Sequence, residues 1–397
     1  MKDKIFENIK LNNGVILENR FVLAPMVTNS STKDGFVTKD DLDYAIRRAK
    51  SASLQITGAA YVDEYGQLFE YGFSSCKDED IEGLSKLAVA MKSKGAKAIL
   101  QLTHAGRFSS HTLNKYGFVY GPSPMHLNSP IEHNVKELSI NQIENLVLAY
   151  ANATRRAIKA GFDGVEISSA QRLLIQTFFS RFSNERNDKY GSQNLENRAR
   201  FTLKIFKAVQ EVIDKEAPKD FILGFRATPE ETRGNQIGYS VEEFMILMDW
   251  LLDLVKLDYL AIASWGHNVF RNKVRASGEF KGELVNKVIF DRFSDKLTII
   301  SNGGINTYDK VLEALEYSHM VGLSTPLLVD PEFIQKIWND KIDDINLKIS
   351  YFDLESLAIP KSCFKDIIPL MEYCETIPKE DIEIFRELSL TYKEREK

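Results

Sequence analysis

Eight short runs of β-branched and other apolar residues recur along this chain, and longer stretches with helical periodicity separate them. Strands that alternate with helices in this way predict repeated βα units and a parallel sheet. Eight units are the number in a (β/α)8 TIM barrel, which is the α/β fold that we predict. The predicted strands are Phe21–Pro25, Leu54–Thr57, Ala98–Leu102, Gly164–Ile167, Ile222–Phe225, Tyr259–Ala263, Leu297–Ser301 and His319–Leu323.

Two of the intervening helices carry recognisable start signals. Ser139 with Gln142 forms one predicted capping box, and Ser240 with Glu243 forms another. In each pair the hydroxyl and the longer polar side chain would bind the first free backbone N–H groups of a helix. Gly161 is predicted to end the first of these helices before the fourth strand begins.

The chain is longer than a barrel alone requires. A (β/α)8 barrel takes roughly 250 residues, which leaves room for long βα loops and terminal additions in a chain of 397 residues. We predict a barrel over residues 1–342 and a helical C-terminal extension of the same domain over residues 343–397. Within the extension, Asp343–Glu355 and Glu380–Lys397 are predicted as surface helices or extensions. The loop Arg107–Pro130 is too long for a simple connection, and such βα loops usually cover the active site of a barrel.

Composition and charge narrow the class of function. The net charge of −5 gives nucleic acid no electrostatic reason to bind, so a small-molecule substrate is the expected partner. No run approaches the ~20 apolar residues of a membrane span, and the N-terminus lacks a signal peptide, so we expect a cytoplasmic protein. Cys76, Cys363 and Cys374 are widely spaced and argue against a metal centre or a disulfide framework. The oligomeric state, including a homo-oligomer, stays open.

Polar motifs follow most of the predicted strands, at the end where barrel enzymes place their chemistry. The motifs are Asn19–Met26, Gln101–Arg107, Ser183–Gly191, Leu195–Phe201, Gly224–Arg226 and Ser301–Gly304. In order and spacing, from about Phe6 to Trp338, these motifs resemble the Old Yellow Enzyme family, including its NADH:flavin oxidoreductase branch. The resemblance implies a barrel that binds FMN and takes hydride from NADH or NADPH.

The chemistry of individual positions agrees with a flavin, a flat and largely apolar ring with one polar edge. Pro25 and Met26 would line a ring face. Gln101 can donate and accept at the pyrimidine edge, and Arg226 would place positive charge near N1 and O2, as the matching residues do in the family. Each has a structural alternative, because Gln101 can be a buried polar residue bound by backbone and Arg226 an ordinary ion-pair member. Val27 stands where relatives use Thr or Cys to hydrogen-bond the flavin.

A phosphate group requires backbone N–H donors and room for close approach, and Gly303 with Gly304 meets that requirement after strand seven. A tight βα turn is the alternative explanation for this pair. Ser324 and Thr325 stand where the family has Gly-Arg, so the phosphate loses its usual cation. The complete set of predicted cofactor-binding residues is Pro25, Met26, Val27, Ala59, Gln101, Arg226, Gly303, Gly304, Ser324 and Thr325.

The fourth strand departs from the family at the substrate side. Relatives carry His-x-x-His or His-x-x-Asn, which grips the carbonyl oxygen of an enone, and a Tyr two residues later. Here Ser168 and Gln171 replace the donor pair and Leu173 replaces the Tyr. The catalytic candidates are therefore Ser168, Gln171 and His267, the last because a related reductase type uses a His near the end of strand six. His104 is expected to orient its neighbours rather than to catalyse.

Three hypotheses follow from these observations. The leading one is an FMN-dependent NAD(P)H oxidoreductase that passes hydride to an unsaturated carbonyl or similar acceptor. The second is an FMN-binding barrel with little ene-reductase activity, because its donor pair is replaced. The third is a phosphate-binding aldolase or isomerase without flavin, for which no Lys ends a predicted strand to form a Schiff base.

Overall fold

The structure, a computed structural model, describes residues 5–128, 132–361, 368, 371–372 and 374–394. Eight parallel strands pair in chain order, and the last pairs with the first to close a barrel. The predicted (β/α)8 barrel is confirmed, with strand ends that differ from the prediction by at most two residues. The strands are β1 Phe21–Leu23, β2 Leu54–Ile56, β3 Lys97–Thr103, β4 Gly164–Ser169, β5 Ile222–Ala227, β6 Tyr259–Ile262, β7 Thr298–Asn302 and β8 Met320–Leu323.

Helices follow the strands and form the outer layer. Both predicted capping boxes are present, because Ser139 and Ser240 each accept a backbone N–H three residues later while that later residue returns a bond. Gly161 ends the first of these helices in the left-handed conformation, at φ +81°. The helices are α1 Lys39–Arg48, α2 Asp80–Lys92, α3 Ile140–Ala160, α4 Leu195–Glu216, α5 Val241–Leu254, α6 Val285–Phe293, α7 Tyr308–Ala314 and α8 Phe333–Trp338.

The barrel interior is apolar at its amino end. Val22, Leu54, Ile99, Ile222 and Ile300 are fully buried there and belong to one cluster. A hairpin of two strands, Ile9–Lys10 and Ile16–Leu17, contributes side chains to the same cluster and covers that end. The opposite, carboxyl end is therefore the open one, which is where barrel enzymes bind their ligands.

Additional elements lie in the βα loops. The loop after β3 contains the helix Ser110–Tyr116 and a three-stranded sheet of Val119–Gly121, His133–Glu137 and Met125–Leu127. Pro130, at the end of the predicted loop, lies outside the described residues. The other short elements are Ala60–Tyr61, the helix Leu174–Phe179, the hairpin Glu231–Arg233 with Gln236–Tyr239, the helix Thr325–Val329, and 3-10 turns at Glu64–Gly66, Gly106–Phe108, Val269–Arg271 and Leu315–Tyr317.

The C-terminal segment packs on the barrel mouth. Over 343–355 it forms two 3-10 turns, Ile342–Asp344 and Tyr351–Asp353, rather than a helix, whereas Ile382–Glu394 is helical. Leu354, Met371 and Phe385 are buried in a cluster that also receives Met26 from the end of β1. The segment thus has an exposed side and an apolar side, and the apolar side packs against the end of β1.

Among the described residues, no helix is long and apolar enough to cross a membrane. No group of three or more His, Cys, Asp or Glu side chains within the described ranges is arranged to hold a metal ion. Cys76 and Cys374 are free thiols. Cys363 lies outside the described residues.

Gly224 on β5 is required by packing inside the barrel. A methyl group added there would lie 2.1 Å from Cζ of Tyr259 on β6. We expect Gly224→Ala to lower the free energy of unfolding by about 3 kcal/mol, at the upper end of the cost of overpacking. Gly72→Ala is the matched control, because its nearest neighbour would be at 3.6 Å. Urea unfolding that gives equal stabilities for the two variants would contradict this packing.

Candidate active site at the carboxyl end of the barrel

A polar layer crosses the barrel interior above its apolar end. Gln101 on β3 and Glu166 on β4 are neighbours in register, and Gln101 Nε2 donates to Glu166 Oε1 at 2.6 Å. Arg226 lies on β5, two residues beyond the register partner of Glu166 and level with Ser168. The register of three adjacent strands therefore brings Gln101, Glu166, Ser168 and Arg226 to one side of the mouth.

Several polar atoms of this layer are buried without a partner. Arg226 Nη1, Glu166 Oε2 and Asn302 Oδ1 each lack a hydrogen-bond partner among the described residues. A buried polar group that makes no hydrogen bond costs roughly 1–3 kcal/mol, and more if it is charged. Unpartnered donors and acceptors in the same layer fit a ligand whose edge carries both kinds of group, as the pyrimidine edge of a flavin does.

Burial determines the electrostatics of this layer. It raises the pKa of Glu166, which is fully buried, and the charge of Arg226 and the hydrogen bond from Gln101 oppose the rise. Burial also lowers the pKa of Arg226, and the charge of Glu166 opposes that change. Each group thus stabilises the charged form of the other, and the arginine stays cationic because its ordinary pKa exceeds 12.

The segment after β1 is held at the mouth by close packing. Pro25, Met26 and Val27 are half-buried, as is Ala59 after β2. Gly58 permits the approach of Met26, because a methyl group on Gly58 would lie 2.5 Å from the Met26 carbonyl oxygen. This packing presents the segment from Pro25 to Val27 to the mouth.

Thr28, the residue after Val27, is part of a buried hydrogen-bond network. Its hydroxyl lies 2.7 Å from that of Ser30, which in turn donates to Asp41 of α1. Asp41 also accepts the backbone N–H of Thr38 at 2.8 Å. This buried network attaches the segment after β1 to the first helix.

The turn after β7 has two left-handed glycines, Gly303 at φ +89° and Gly304 at φ +84°. The loop after β6 packs directly on them, since a methyl group on Gly304 would lie 2.1 Å from the His267 carbonyl oxygen. Lys310, in the first turn of α7, donates to the Gly304 carbonyl at 3.1 Å and to Asn268 Oδ1 at 3.2 Å. The two glycines therefore allow the loop after β6 to pack closely on the turn, and the Lys310 ammonium group lies beside it.

Ser324 and Thr325 are half-buried where β8 leads into the helix Thr325–Val329. The carbonyl of Ser324 accepts the backbone N–H of Leu328. Both residues lie at the carboxyl end of the strand between β7 and β1. The predicted phosphate-side residues after β7 and β8 are thus brought to neighbouring strand ends.

The three catalytic candidates occupy different surroundings. Ser168 is buried, and its backbone is level with Arg226. Gln171 follows β4 with φ +58°, and its backbone N–H donates to Thr228 Oγ1 at 3.2 Å. His267 is exposed and lies on the loop against Gly304. Leu173, at the position of the family's Tyr, is buried.

His104 has a structural role, in agreement with the sequence-based expectation. It is buried, its Nδ1 accepts the backbone N–H of Gly106 at 3.0 Å, and its Nε2 lies 3.7 Å from Asp63 Oδ1. These contacts fix the loop that follows β3.

Two residues of the site carried no assigned role at the level of sequence. Glu166 is a charged residue within an apolar strand. Its position two residues before Ser168 places both side chains on the same face of the strand, and this spacing could have identified Glu166 as a residue of the site. Lys310 lies in the first turn of the helix that follows the glycine pair. Its proximity to Gly304 depends on the geometry of the helix, so the spacing of residues in the sequence did not predict this contact.

The closed barrel with a polar carboxyl end places the protein among the TIM-barrel enzymes. The model of the NADH:flavin oxidoreductase / NADH oxidase family matches residues 4–344, and the chain belongs to this family. It is accordingly an NADH- or NADPH-dependent flavin oxidoreductase, and the alternative of an aldolase or isomerase is set aside.

Individual relatives agree with this assignment. An uncharacterized oxidoreductase of Streptococcus pyogenes is 64% identical over 390 residues, 98% of both chains. A probable NADH-dependent flavin oxidoreductase of Bacillus subtilis is 33% identical and covers 92% of this chain and 95% of its own length. An Old Yellow Enzyme homologue of Zymomonas mobilis has the same fold, with a TM-score of 0.70 at 22% identity over 85% of this chain and 92% of that one. The resemblance to the Old Yellow Enzyme family is thereby confirmed.

The carboxyl group of Asp41 predicts a pH dependence of stability. Burial raises its pKa to about 6, and hydrogen bonds from Ser30 and Thr38 oppose the rise. Because this pKa lies above the unfolded value, the stabilising contribution is full below pH ~4 and is lost as pH rises through ~6, by about 3 kcal/mol. Relative to wild type, Asp41→Asn should therefore gain about 2 kcal/mol in free energy of unfolding between pH 4 and pH 7.

Urea unfolding at several pH values measures this difference. Asp40→Asn controls for the loss of a carboxylate, because Asp40 is exposed on the same helix turn. A wild-type curve parallel to that of Asp41→Asn would show that the carboxyl group titrates normally.

Proposed function

We propose that the protein binds FMN at the barrel mouth and passes hydride from NADH or NADPH through it to an acceptor. The observation that carries this proposal is Arg226 Nη1, a buried donor that has no partner among the described residues. Arg226 on β5 and Gln101 on β3 flank β4, the strand that carries Glu166. The flavin supplies the redox chemistry when bound. Arg226 would donate to N1 and O2, Gln101 would bind the pyrimidine edge, and Pro25, Met26, Val27 and Ala59 would lie along the ring.

The phosphate of FMN would bind after β7 and β8. Gly303 and Gly304 offer backbone N–H groups without side chains, and Ser324 and Thr325 offer hydroxyl groups. Lys310 lies at this turn, bound to the Gly304 carbonyl. We propose that Lys310 supplies the positive charge that the family's Arg supplies elsewhere, so the replacement after β8 costs less affinity than the sequence suggests.

The acceptor half of the reaction depends on β4. Ser168 and Gln171 would be the donors to a carbonyl oxygen, and both are neutral. The backbone of Gln171 is left-handed, which a residue other than glycine adopts at a cost of about 1–2 kcal/mol. A second candidate function, an FMN-dependent NAD(P)H oxidoreductase with little ene-reductase activity, is favoured by this altered pair.

Arg226 should control both retention of FMN and its reduction potential. Loss of a hydrogen bond from a charged group costs roughly 1.5–3 kcal/mol, so Arg226→Ala should weaken FMN binding by ~10 to 100-fold and lower the potential. Gln101→Ala removes neutral hydrogen bonds of ~0.5–1.5 kcal/mol each and should have a milder effect. Arg226→Lys is the control that retains charge without the planar fork.

The measurements are FMN occupancy of the purified protein and spectroelectrochemical titration. Full occupancy and an unchanged potential in Arg226→Ala would contradict the assignment of this residue to the flavin.

The two half-reactions should differ in rate. The purified protein should be yellow, and anaerobic NADH or NADPH should bleach it readily, because the residues along the ring are present. Cyclohexenone should then reoxidise it slowly, since loss of one carbonyl donor typically costs ~10²–10³ in rate. Restoring the family's pair by Ser168→His with Gln171→His should raise the enone rate and leave flavin reduction nearly unchanged.

Stopped-flow absorbance measures both steps. A colourless protein that stays colourless in excess FMN would refute the cofactor proposal. Fast turnover of cyclohexenone by the wild type would refute the account of β4 and establish the ene-reductase function.

A further inference from the structure

A cleft of about 170 Å³ opens at the carboxyl ends of β4, β5 and β6. Its inner wall is formed by Gln171, Thr228 and Ile262 at the ends of these strands. From there it extends outward along the loop after β6, past Trp265, to the segment Lys273–Arg275. One end of the cleft therefore lies at the barrel mouth and the other at the protein surface.

The outer end of the cleft carries two positive charges on a fixed backbone. Lys273 and Arg275 flank the buried Val274, whose backbone bonds to Glu283 and Gly282 at 2.8 and 2.9 Å. The carboxylate of Glu230 accepts the backbone N–H of Arg275 at 2.9 Å. The segment is thus extended and held on both sides, so its alternate side chains leave on the same face.

Neither cation forms an ion pair with a described carboxylate, although Glu230 lies on the backbone of the same segment. The side chains of Lys273 and Arg275 are exposed, and no carboxylate lies within ion-pair distance of either among the residues the structure describes. Glu230, the acidic neighbour, has its oxygens occupied by the backbone N–H groups of Arg275 and Ala276. The ammonium group of Lys273 and the guanidinium group of Arg275 are therefore available to an anion that enters the cleft.

Trp265 provides a flat apolar surface in the same cleft. Trp265 is 61% exposed, although it is a large apolar residue, and it lines the cleft. Single exposed apolar residues are common, but this ring lies between the cations at the outer end and the strand ends at the inner end. An indole in that position is suited to stack on a planar base.

The inner end of the cleft is shaped by strained backbone. Gln171 and Arg172 are consecutive residues with φ of +58° and +64°. Residues other than glycine rarely adopt this conformation and occur in it mainly where the surroundings require it. The strained pair turns the chain after β4 so that both residues line the cleft. Arg172 is already paired there, with Nε 3.5 Å from Glu231 Oε1.

We propose that this cleft binds the adenosine diphosphate half of the nicotinamide donor. The adenine would stack on Trp265 and the phosphates would meet Lys273 and Arg275, so that the nicotinamide half reaches the strand ends beside Gln171. A base with attached phosphates is the ligand chemistry that an exposed indole next to unpaired cations recognises. This inference rests on the proposed function, because it assigns the binding of the hydride donor to the residues outside the flavin site.

Calorimetric titration with ADP tests the cleft without any turnover. The wild type should bind ADP, and Trp265→Ala and Arg275→Gln should each weaken binding about tenfold, as loss of a stacked base or of a charged hydrogen bond does. Lys207→Gln, which removes an exposed charge from α4, is the matched control and should bind as the wild type does. ADP binding that is absent, or equal in all four proteins, would overturn the proposal.

Flavin reduction identifies the source of the nucleotide. With NADH, Trp265→Ala and Arg275→Gln should raise the dissociation constant of the donor about tenfold and leave the limiting rate unchanged. With reduced nicotinamide mononucleotide, which lacks the adenosine phosphate, the same variants should match the wild type. Equal effects of the variants on both donors, or no effect on either, would overturn the assignment. Variants that lose ADP binding but bind NADH as the wild type does would also overturn it, because the cleft would then bind the nucleotide of an acceptor. A wild type that neither donor reduces contradicts the proposed function instead, and leaves the ADP titration as the separate test of the cleft.

Discussion

Glu166 is a carboxyl group enclosed on all sides by the barrel, and the arrangement of the mouth depends on how its burial is compensated. A carboxylate moved out of water loses several kcal/mol of solvation unless partners replace the water. Gln101 donates to one oxygen at 2.6 Å, and Arg226 contributes opposite charge from the next strand. The hydrogen bond orients Gln101, and Arg226 Nη1 has no hydrogen-bond partner among the residues that the structure describes. The buried acid thus prepares a donor for a ligand at the mouth.

The remainder of the mouth is built around this polar layer by close packing. Gly224 leaves the space that the ring of Tyr259 fills beneath Arg226, and Gly58 lets the Met26 carbonyl approach the end of β2. Met26 is also packed against the cluster of the C-terminal segment. That segment is therefore part of the wall of the site, and the position of the residues after β1 depends on a part of the chain more than 300 residues away.

Strand number, strand order and the ends of two helices were predictable, because apolar runs and capping boxes are local signals. The partner of Gln101 was not, because Gln101 and Glu166 are 65 residues apart and meet only through strand register. The position of Lys310 was not predicted for a similar reason, because it reaches Gly304 across a helix turn. The sequence analysis also named His267 as a catalytic candidate together with Ser168 and Gln171. In the structure its backbone lies against Gly304, in the turn after β7. For residues 343–355 the sequence left a surface helix or an extension open, and the structure has two 3-10 turns there, with Ile349 and Leu354 buried in tertiary packing.

These departures divide the mouth into two sides with different constraints. The motifs at the ends of β3, β5 and β7 match the family's pattern, and the largest departure lies at Ser168 and Gln171 after β4. At the ends of β4 and β6 the chain carries two left-handed non-glycine residues and an exposed tryptophan. Strained backbone persists only where surrounding contacts hold it, and here the Gln171 N–H is bound by Thr228 and the Arg172 N–H by Gln176 at 2.6 Å. The β4 turn is therefore held in this conformation by hydrogen bonds to side chains outside the two strained residues.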